Sequence, residues 1–517
     1  MAEHKKLLKS AGIIGIFTLI SRILGFLRDI IIAYLFGTKM AAQAFVVAFR
    51  IPNTLRNLVG EGATNAAVIP VLSEFAVKKD KKELWELTSL LFVIFSIVLT
   101  AIAILGVVLS PFIVRIIAFG FVHDAAKFAL TVKLTRIMFS FIVFIGLAAY
   151  VMGVLHTLKH FAISAASSCF LNIIMIIFGL TVCRRMDEPI LGMAYAVLIG
   201  GFFQLAVQIP VLIKKGFRLH LPATLFHPAA KKIGTLLVPR MVGSSIYQLS
   251  IFVDTMFASL GYIVGEGAVV ALYLGTRLIQ FPTGIFGTSM ATVCLPTMSH
   301  QAAANDFDNL KKTLVFSLRA MMIFLVPSAM GLMVLSAPII NIVFKRGQFD
   351  NIAAQMTAEA LLFYCVGLFA YSGVKVITTC FYALKDTFTP VKITLVCLLL
   401  NIVLNIAFMG PLKAGGLALA TSVSSIVNFF ILLSCLQKKI GRIRFKRLTR
   451  SAVITVSLSV IMGVICWYSY NFFAGFLKDW VGLVMAIALG VIFYMLFGWF
   501  LGIFQELHLK YEFERKD

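Results

Sequence analysis

The chain has 517 residues, of which 60% are hydrophobic and only 13% are charged, and its mean hydropathy is +0.98. This composition excludes a soluble protein and is typical of one that crosses a membrane many times. The formal net charge of +24 would suggest a nucleic-acid partner in a soluble protein, but most basic residues lie in short loops between apolar segments. Because cytoplasmic loops of membrane proteins are enriched in Lys and Arg, no nucleic-acid partner is predicted.

The eight cysteines lie singly within apolar runs, with no paired spacing typical of a metal or redox site. No bound cofactor is therefore predicted.

Segments of about 20 or more mainly apolar residues predict membrane-spanning helices, and about fourteen occur along the chain. The predicted fold class is an all-α polytopic membrane protein. The predicted spans lie near residues 12–36, 43–73, 87–118, 126–156, 159–183, 189–213, 233–261, 266–299, 313–344, 355–384, 388–410, 414–437, 449–474 and 480–504.

The loops differ in charge on the two sides of the predicted membrane. One set, which includes both chain ends, carries about 26 Lys and Arg, against about 8 in the opposite set. The basic set contains the loop near 78–82, the loop 214–232 and the run 438–450. The asymmetry predicts that both termini lie in the cytoplasm.

An internal repeat relates the two halves of the chain. The segment VIPVLSEFAVKKDKKEL from Val68 aligns without a gap with CLPTMSHQAAANDFDNL from Cys294. The turn at 158–159 resembles the turn at 384–385, and the offset stays between about 224 and 227. Spans one to six are therefore duplicated as spans seven to twelve.

Two copies of six spans have the same orientation and predict two parallel lobes with a cleft that opens to alternate sides, as in transporters. No loop is long enough to hold a soluble active site, so a transporter is predicted rather than an enzyme. The predicted domains are an N-terminal lobe (1–215), a C-terminal lobe (216–440), and spans thirteen and fourteen with the tail (441–517).

The first two predicted spans carry an excess of positive charge. They hold Arg22, Arg28, Arg50 and Arg56, with Asp29 as an acid in the first span. Each cation at the centre of a membrane helix costs at least about 2.5 to 3.5 kcal/mol. The arginines are therefore predicted to face a water-filled cavity that binds an anion such as phosphate.

The alternative for these arginines is internal ion pairing with Asp29, Glu61 or Glu74, but those acids are too few for all the cations. A rise of about 1.5 Å per residue places Arg22 level with Arg56 near the midplane and Arg28 level with Arg50 further out. Asp29 lies seven residues after Arg22, nearly on the same helix face, where it could orient an arginine. Arg50 fits either a substrate contact or a side chain that reaches the outer interface.

In the second copy of the repeat, Arg50 aligns with Arg277, while the partner of the first span carries Asp254 and has an arginine, Arg240, only near its cytoplasmic end. This asymmetry suits a substrate with one anionic end. Four oxygen-bearing residues of the second copy could bind sodium, although polar contacts between helices explain them equally well. They are Asp254, Asn401, Asn405 and Thr421.

Three stretches, SRILGFLRD, AFRIPNTLRNLVGEGATNAAVIPVLSE and RLIQFPTGIFGTSMATVCLP, resemble the bacterial lipid II flippase family MurJ, also called MviN. The resemblance covers essentially the whole chain. It implies translocation of undecaprenyl-diphosphate-linked peptidoglycan precursor across the bacterial inner membrane, with the polyprenyl tail in a groove of spans thirteen and fourteen. It also implies partners among membrane lipids and the proteins of cell-wall synthesis and division. The family's essential cavity positions match Arg22, Arg28, Arg56 and Arg277, with Ser21 and Asp29 alongside.

The chain departs from the family pattern at Gln43, Thr276, Gln280 and Asn405, where many members carry acids. These departures put a complete sodium site in doubt, so membrane potential, sodium and protons all stay open as energy sources. Two other functions also fit a transporter of this architecture. One is export of another lipid-linked oligosaccharide, and the other is cation-coupled multidrug antiport.

Overall fold

The computed structural model describes residues 2–56, 65–78, 80–220, 224, 226–443 and 446–504. Across those residues every regular element is a helix, because segments this apolar can satisfy their backbone hydrogen bonds within a membrane only as helices or closed barrels. By internal contacts the chain divides into two compact units, Met1–Leu260 and Gly261–Asp517. The predicted lobe boundary at 215/216 follows the sequence repeat rather than packing, and it stays a prediction.

Among its described residues, the first unit has ten α-helices. They are α1 (Ala2–Phe36), α2 (Met40–Arg56), α3 (Asn65–Lys78), α4 (Lys81–Ile117), α5 (Ala125–Phe139), α6 (Phe141–Thr157), α7 (Ala162–Leu180), α8 (Pro189–Ala206), α9 (Ile209–Lys214) and α10 (Pro228–Ala258).

The described part of the second unit contains ten more. They are α11 (Gly261–Val264), α12 (Ala268–Pro282), α13 (Ser289–Ala303), α14 (Phe307–Val334), α15 (Ser336–Val343), α16 (Asn351–Val366), α17 (Leu368–Ala383), α18 (Phe388–Ile440), α19 (Lys446–Ala474) and α20 (Asp479–Phe500).

The predicted all-α polytopic class is confirmed. Within the described ranges, nine helical segments are long and apolar enough to cross a membrane, and α16 with α17, bent by 45°, makes a tenth. The count of about fourteen spans stays a prediction.

Several predicted spans contain breaks that hydropathy does not show. The fourth predicted span consists of α5 and α6, which are separated at Ser140. Conversely, the spans predicted at 388–410 and 414–437 follow each other directly as α18, which is kinked at Lys413 (φ 49°, ψ −133°). Because proline removes a backbone donor, Pro52 is predicted to bend the second span; it lies within α2, and that helix continues to Arg56. The Gly60-Glu61-Gly62 triplet is predicted to loosen the same span, and it lies outside the described residues.

The repeat is visible in the backbone of two equivalent turns. Lys159 follows α6 with φ 56°, and Lys385 follows α17 with φ 59°. In each turn a backbone N–H reaches back five residues, from His160 to Leu155 at 2.8 Å and from Asp386 to Phe381 at 2.9 Å. Both turns therefore have the same left-handed helix-ending geometry, although such a φ usually favours glycine.

In the first unit, α7 packs between α1 and α8. Glycines allow the close approach: a Cβ on Gly179 would lie 2.8 Å from Ile31 Cγ2, and one on Gly200 would lie 2.8 Å from Leu171 Cδ1. Small residues are the usual way for membrane helices to approach closely. This packing places the polar side chains of α1 and α7 side by side.

In the second unit, α19 and α20 pack together and against α14. Their shared core includes Leu458, Met462 and Tyr494, and the Tyr494 hydroxyl donates a 2.7 Å hydrogen bond to the carbonyl of Ile323. The last two predicted spans are therefore attached to the second unit through α14.

Candidate functional site

Arg28 lies at the centre of a buried polar network in the first unit. Its exposed fraction is 4% and that of Asp29 is 2%. Arg28 Nε and Nη2 both donate to Asp29 Oδ1, at 3.0 and 2.7 Å. Nη1 donates to Asn172 Oδ1 of α7 at 3.0 Å. A buried guanidinium needs such compensation, because removal of its partner would leave an uncompensated charge.

Asp29, which was predicted to orient one of the arginines, pairs with Arg28, its neighbour in sequence. Seven residues of helix separate Arg22 and Asp29 along the axis by about 10.5 Å, which is too far for a direct ion pair. The Arg28 side chain instead folds back onto the adjacent carboxylate.

Asn172 links the network to the neighbouring helix. Its amide nitrogen donates to the carbonyl oxygen of Ser21 at 3.2 Å, and the Ser21 hydroxyl donates to the carbonyl of Ser168 at 3.3 Å. A Cβ on Gly25 would lie 3.7 Å from the Asn172 amide, so α1 presents a small residue at this contact. The sequence reasoning missed Asn172. A lone asparagine within the apolar run of α7 was the available signal.

Arg22 lies on the exposed side of α1, among exposed apolar side chains such as Ile23 and Leu19. Arg56, half-buried, is the last residue of α2 and precedes the undescribed segment 57–64. That Arg22 and Arg56 lie at the same depth in the membrane stays a prediction. Glu61, one proposed ion-pair partner, lies in the undescribed segment.

Glu74, another proposed partner for the arginines, pairs with lysines instead. Its carboxylate lies 3.0 Å from Lys78 Nζ and 2.9 Å from Lys232 Nζ at an exposed position. These contacts connect α3 to α10 at the surface. Glu74 therefore forms surface ion pairs with these two lysines.

Arg50 is half-buried, and its Nη1 donates a hydrogen bond to the Thr255 hydroxyl of α10. The ring centroid of Phe49, the preceding residue, lies 5.8 Å from the Arg28 guanidinium carbon. Nearby, the backbone N–H of Gly120 donates to the Ser259 hydroxyl at 2.9 Å. Arg50 thus connects α2 to α10. A substrate contact and a side chain that reaches the outer interface both stay predictions for it.

Arg277 of the second unit donates to a neutral group on its own helix. Its Nη2 and Nε donate to the Tyr273 hydroxyl at 2.8 and 3.2 Å, and its Nη1 lies 3.4 Å from Gln280 Oε1. Gln280 is one of the positions where the resemblance leads one to expect an acid, and an amide accepts a hydrogen bond there without adding negative charge. A π-helical turn follows α12 at 283–288.

Three of the four candidate sodium ligands contact one another. Asn405 donates to Asn401 Oδ1 at 3.0 Å, and Asn401 Nδ2 lies 3.4 Å from Thr421 Oγ1, across the kink of α18. Asp254 belongs to the other unit. These contacts fit polar packing between helices, and a sodium site at these residues stays a prediction. Among the described residues, no group of three or more His, Cys, Asp or Glu side chains could hold a metal.

Comparisons with known proteins agree with this architecture. The profile of the family described as lipid II flippase MurJ matches residues 32–487. A probable lipid II flippase MurJ from Buchnera aphidicola subsp. Schizaphis graminum is 36% identical over 445 residues, which cover 85% of each chain. The lipid II flippase MurJ of Burkholderia cenocepacia is 32% identical over 477 residues, which cover 90% of each chain.

Solved structures show the same fold. A lipid II flippase MurJ in an inward closed conformation superimposes with a TM-score of 0.78 at 27% identity, covering 96% of this chain and 99% of that one. An inward-facing multidrug resistance MATE family transporter superimposes with a TM-score of 0.70 at 13% identity, covering 81% and 94% of the two chains. The second likeness shows the fold alone. The profile match and the identities over most of both chains show that this multi-pass membrane protein belongs to the lipid II flippase MurJ family.

Proposed function

We propose that this chain is a flippase that moves lipid II, the undecaprenyl-diphosphate-linked disaccharide-pentapeptide, from the inner to the outer leaflet by alternating access. The observation that supports it best is the charge on α1, where exposed Arg22 and buried Arg28 lie in one apolar helix. An anion is the ligand that such a helix can bind, and a diphosphate accepts the bidentate hydrogen bonds of guanidinium groups. The substrate changes sides of the membrane without a chemical reaction, so the protein acts as a transporter and not as an enzyme.

In this proposal Arg22, Arg28, Arg56 and Arg277 contact the diphosphate, and Ser21 and Asp29 support them. Arg28 already uses three N–H groups on Asp29 and Asn172. The diphosphate must therefore replace Asp29 at Arg28 or bind beside the pair. Arg22 is exposed and provides the first contact before that exchange.

The proposed location is the bacterial inner membrane with both termini in the cytoplasm. The support is the excess of Lys and Arg in the loops on one side. Membrane lipids, and proteins of cell-wall synthesis and division, are the proposed partners. Because the charge of +24 is concentrated in those loops, no nucleic-acid partner is proposed.

Complementation tests the proposal. Bacteria depleted of their own flippase would receive the wild-type chain, Arg22→Ala, Arg28→Ala or Arg136→Ala, and growth and accumulation of lipid-linked precursor would be measured. Arg136 is the matched control, because it is an arginine of α5 whose Nε contacts Ser110 Oγ at 3.2 Å outside the proposed site. We expect loss of growth with the first two variants and normal growth with the third.

Normal growth with Arg22→Ala and Arg28→Ala would contradict the site. Failure of the wild-type chain, with rescue of export of another lipid-linked glycan, would favour that export as the function. Drug efflux that depends on the wild-type chain would favour the antiporter alternative.

Sodium coupling through Asp254, Asn401, Asn405 and Thr421 stays a proposal. Replacement of sodium by choline at constant membrane potential would test it directly. A flipping rate that does not change would exclude sodium as the coupling ion.

A further inference from the structure

A pocket of about 600 Å³ lies within the first unit, where α1 ends and α2 and α8 begin. Its walls are mainly apolar and include Leu35, Phe36, Leu130 and Ile190. The volume is within the range of about 300 to 1,000 Å³ that is typical of ligand sites. The pocket is separate from the Arg28 network, because none of the residues of that network lines it.

Charged side chains are part of the same lining. Lys133 Nζ lies 3.0 and 2.9 Å from the two carboxylate oxygens of Glu188, and both side chains are about half exposed. Arg184, in the loop between α7 and α8, is exposed and also lines the pocket. Because Glu188 already compensates Lys133, Arg184 gives the lining a net positive charge.

The position of the pocket and the exposed apolar side chains near it indicate that it lies close to the membrane surface. It lies at the ends of predicted spans, and Tyr34 and Met40 beside it are 42% and 40% exposed. On the orientation predicted from loop charge, this is the outer end of the helices. An apolar interior with a guanidinium in its lining matches the two parts of an anionic phospholipid.

We propose that this pocket binds an anionic phospholipid, with one acyl chain against the apolar walls and the phosphate at Arg184. The acyl chain gains by burial of its methylene groups, and the guanidinium offers paired donors to phosphate oxygens. A zwitterionic head group such as phosphatidylethanolamine has the same phosphate, but its ammonium group is repelled by the guanidinium, so it gains less from Arg184. The pocket therefore discriminates lipids by head-group charge.

The purified full-length chain would be delipidated and titrated with phosphatidylglycerol or phosphatidylethanolamine. Retained lipid would be counted by native mass spectrometry, and thermal unfolding would confirm that each variant is folded. We expect Arg184→Gln to weaken phosphatidylglycerol binding about fivefold, since a basic residue near an anionic lipid contributes about that factor. Phosphatidylethanolamine binding should weaken less, because its ammonium group already offsets part of the attraction between its phosphate and Arg184. Ala129→Trp, at a lining position, should reduce binding of both lipids.

Arg185→Gln is the matched control, because Arg185 is an exposed neighbour that does not line the pocket. It should bind phosphatidylglycerol like the wild type. Equal losses for Arg184→Gln and Arg185→Gln would show a general surface charge effect and overturn the proposal. Equal wild-type affinity for the two lipids, or unchanged binding by folded Ala129→Trp, would overturn it as well.

Discussion

Arg28 in the first unit and Arg277 in the second are both predicted substrate contacts, yet they are held differently. Arg28 is buried against the carboxylate of Asp29 and the amide of Asn172. Arg277 donates to the phenol of Tyr273 on its own helix and lies near the amide of Gln280. An anion must compete with a carboxylate at Arg28, whereas at Arg277 it competes with a hydroxyl. The Tyr273 contact adds no negative charge at Arg277, whereas the Asp29 contact does so at Arg28.

Removal of the carboxylate should have the largest effect on this comparison. We expect Asp29→Ala to lower the free energy of unfolding by about 3 to 5 kcal/mol, because it leaves the Arg28 charge buried without compensation. Unfolding in mixed detergent micelles measures it. Glu74→Ala removes an exposed ion-pair partner and should leave stability unchanged. Similar losses in the two variants would show that burial does not distinguish these carboxylates.

The next largest effect should come from Asn172→Ala. A hydrogen bond to a charged group contributes about 1.5 to 3 kcal/mol, so stability should fall by that amount. Ser168→Ala on the same helix is the control, because its hydroxyl donates to the carbonyl of Ala165 within α7. If Asn172→Ala were as stable as the control, Asp29 alone would be sufficient to hold Arg28.

The two arginines show which parts of the candidate site can be predicted from the sequence. Charges in apolar runs are visible in any sequence, so Arg28, Asp29 and Arg277 were identified without coordinates. The partner of Arg28 on α7 was not, because Asn172 is 144 residues away and only helix packing brings it near. Similarly, hydropathy measures transfer into lipid and carries no information about bends. It therefore missed the break at Ser140 and the directly joined halves of α18.

Tyr273→Phe tests the contact between Arg277 and the neutral Tyr273 hydroxyl. Loss of the hydroxyl should cost about 0.5 to 1.5 kcal/mol of stability and free Arg277 donors for an anion. We expect tighter binding of a diphosphate-containing head-group analogue, measured by titration calorimetry. Tyr195→Phe, at an exposed position on α8, is the control. Weaker binding by Tyr273→Phe would mean that Tyr273 holds Arg277 in its binding geometry.

The smallest effect should appear at the equivalent turns after α6 and α17. Their backbone conformations are the same, but their side chains differ in charge. Asp386 in the second turn is largely buried, which would raise its pKa. The ion pair with Lys439 and the hydrogen bonds from Thr389 outweigh that effect and lower the pKa well below its usual range. His160 occupies the equivalent place in the first turn. A carboxyl with a lowered folded-state pKa stabilises the protein above the usual aspartate pKa of about 4, and the stabilisation is lost as the pH falls below it.

We therefore expect Asp386→Asn to lower the melting temperature at pH 7, with a difference from wild type that shrinks below about pH 4. Thermal unfolding in detergent from pH 7 to pH 3 measures both. Asp308→Asn is the matched control, since Asp308 pairs with Lys311 but its side chain is 86% exposed, and it should match the wild type throughout. A difference for Asp386→Asn that is constant with pH would indicate that its hydrogen bonds, rather than its charge, stabilise the turn. In that case the charge of Asp386 would not contribute to stability. The energetic difference between the two units would then be seen at their arginines and not at these turns.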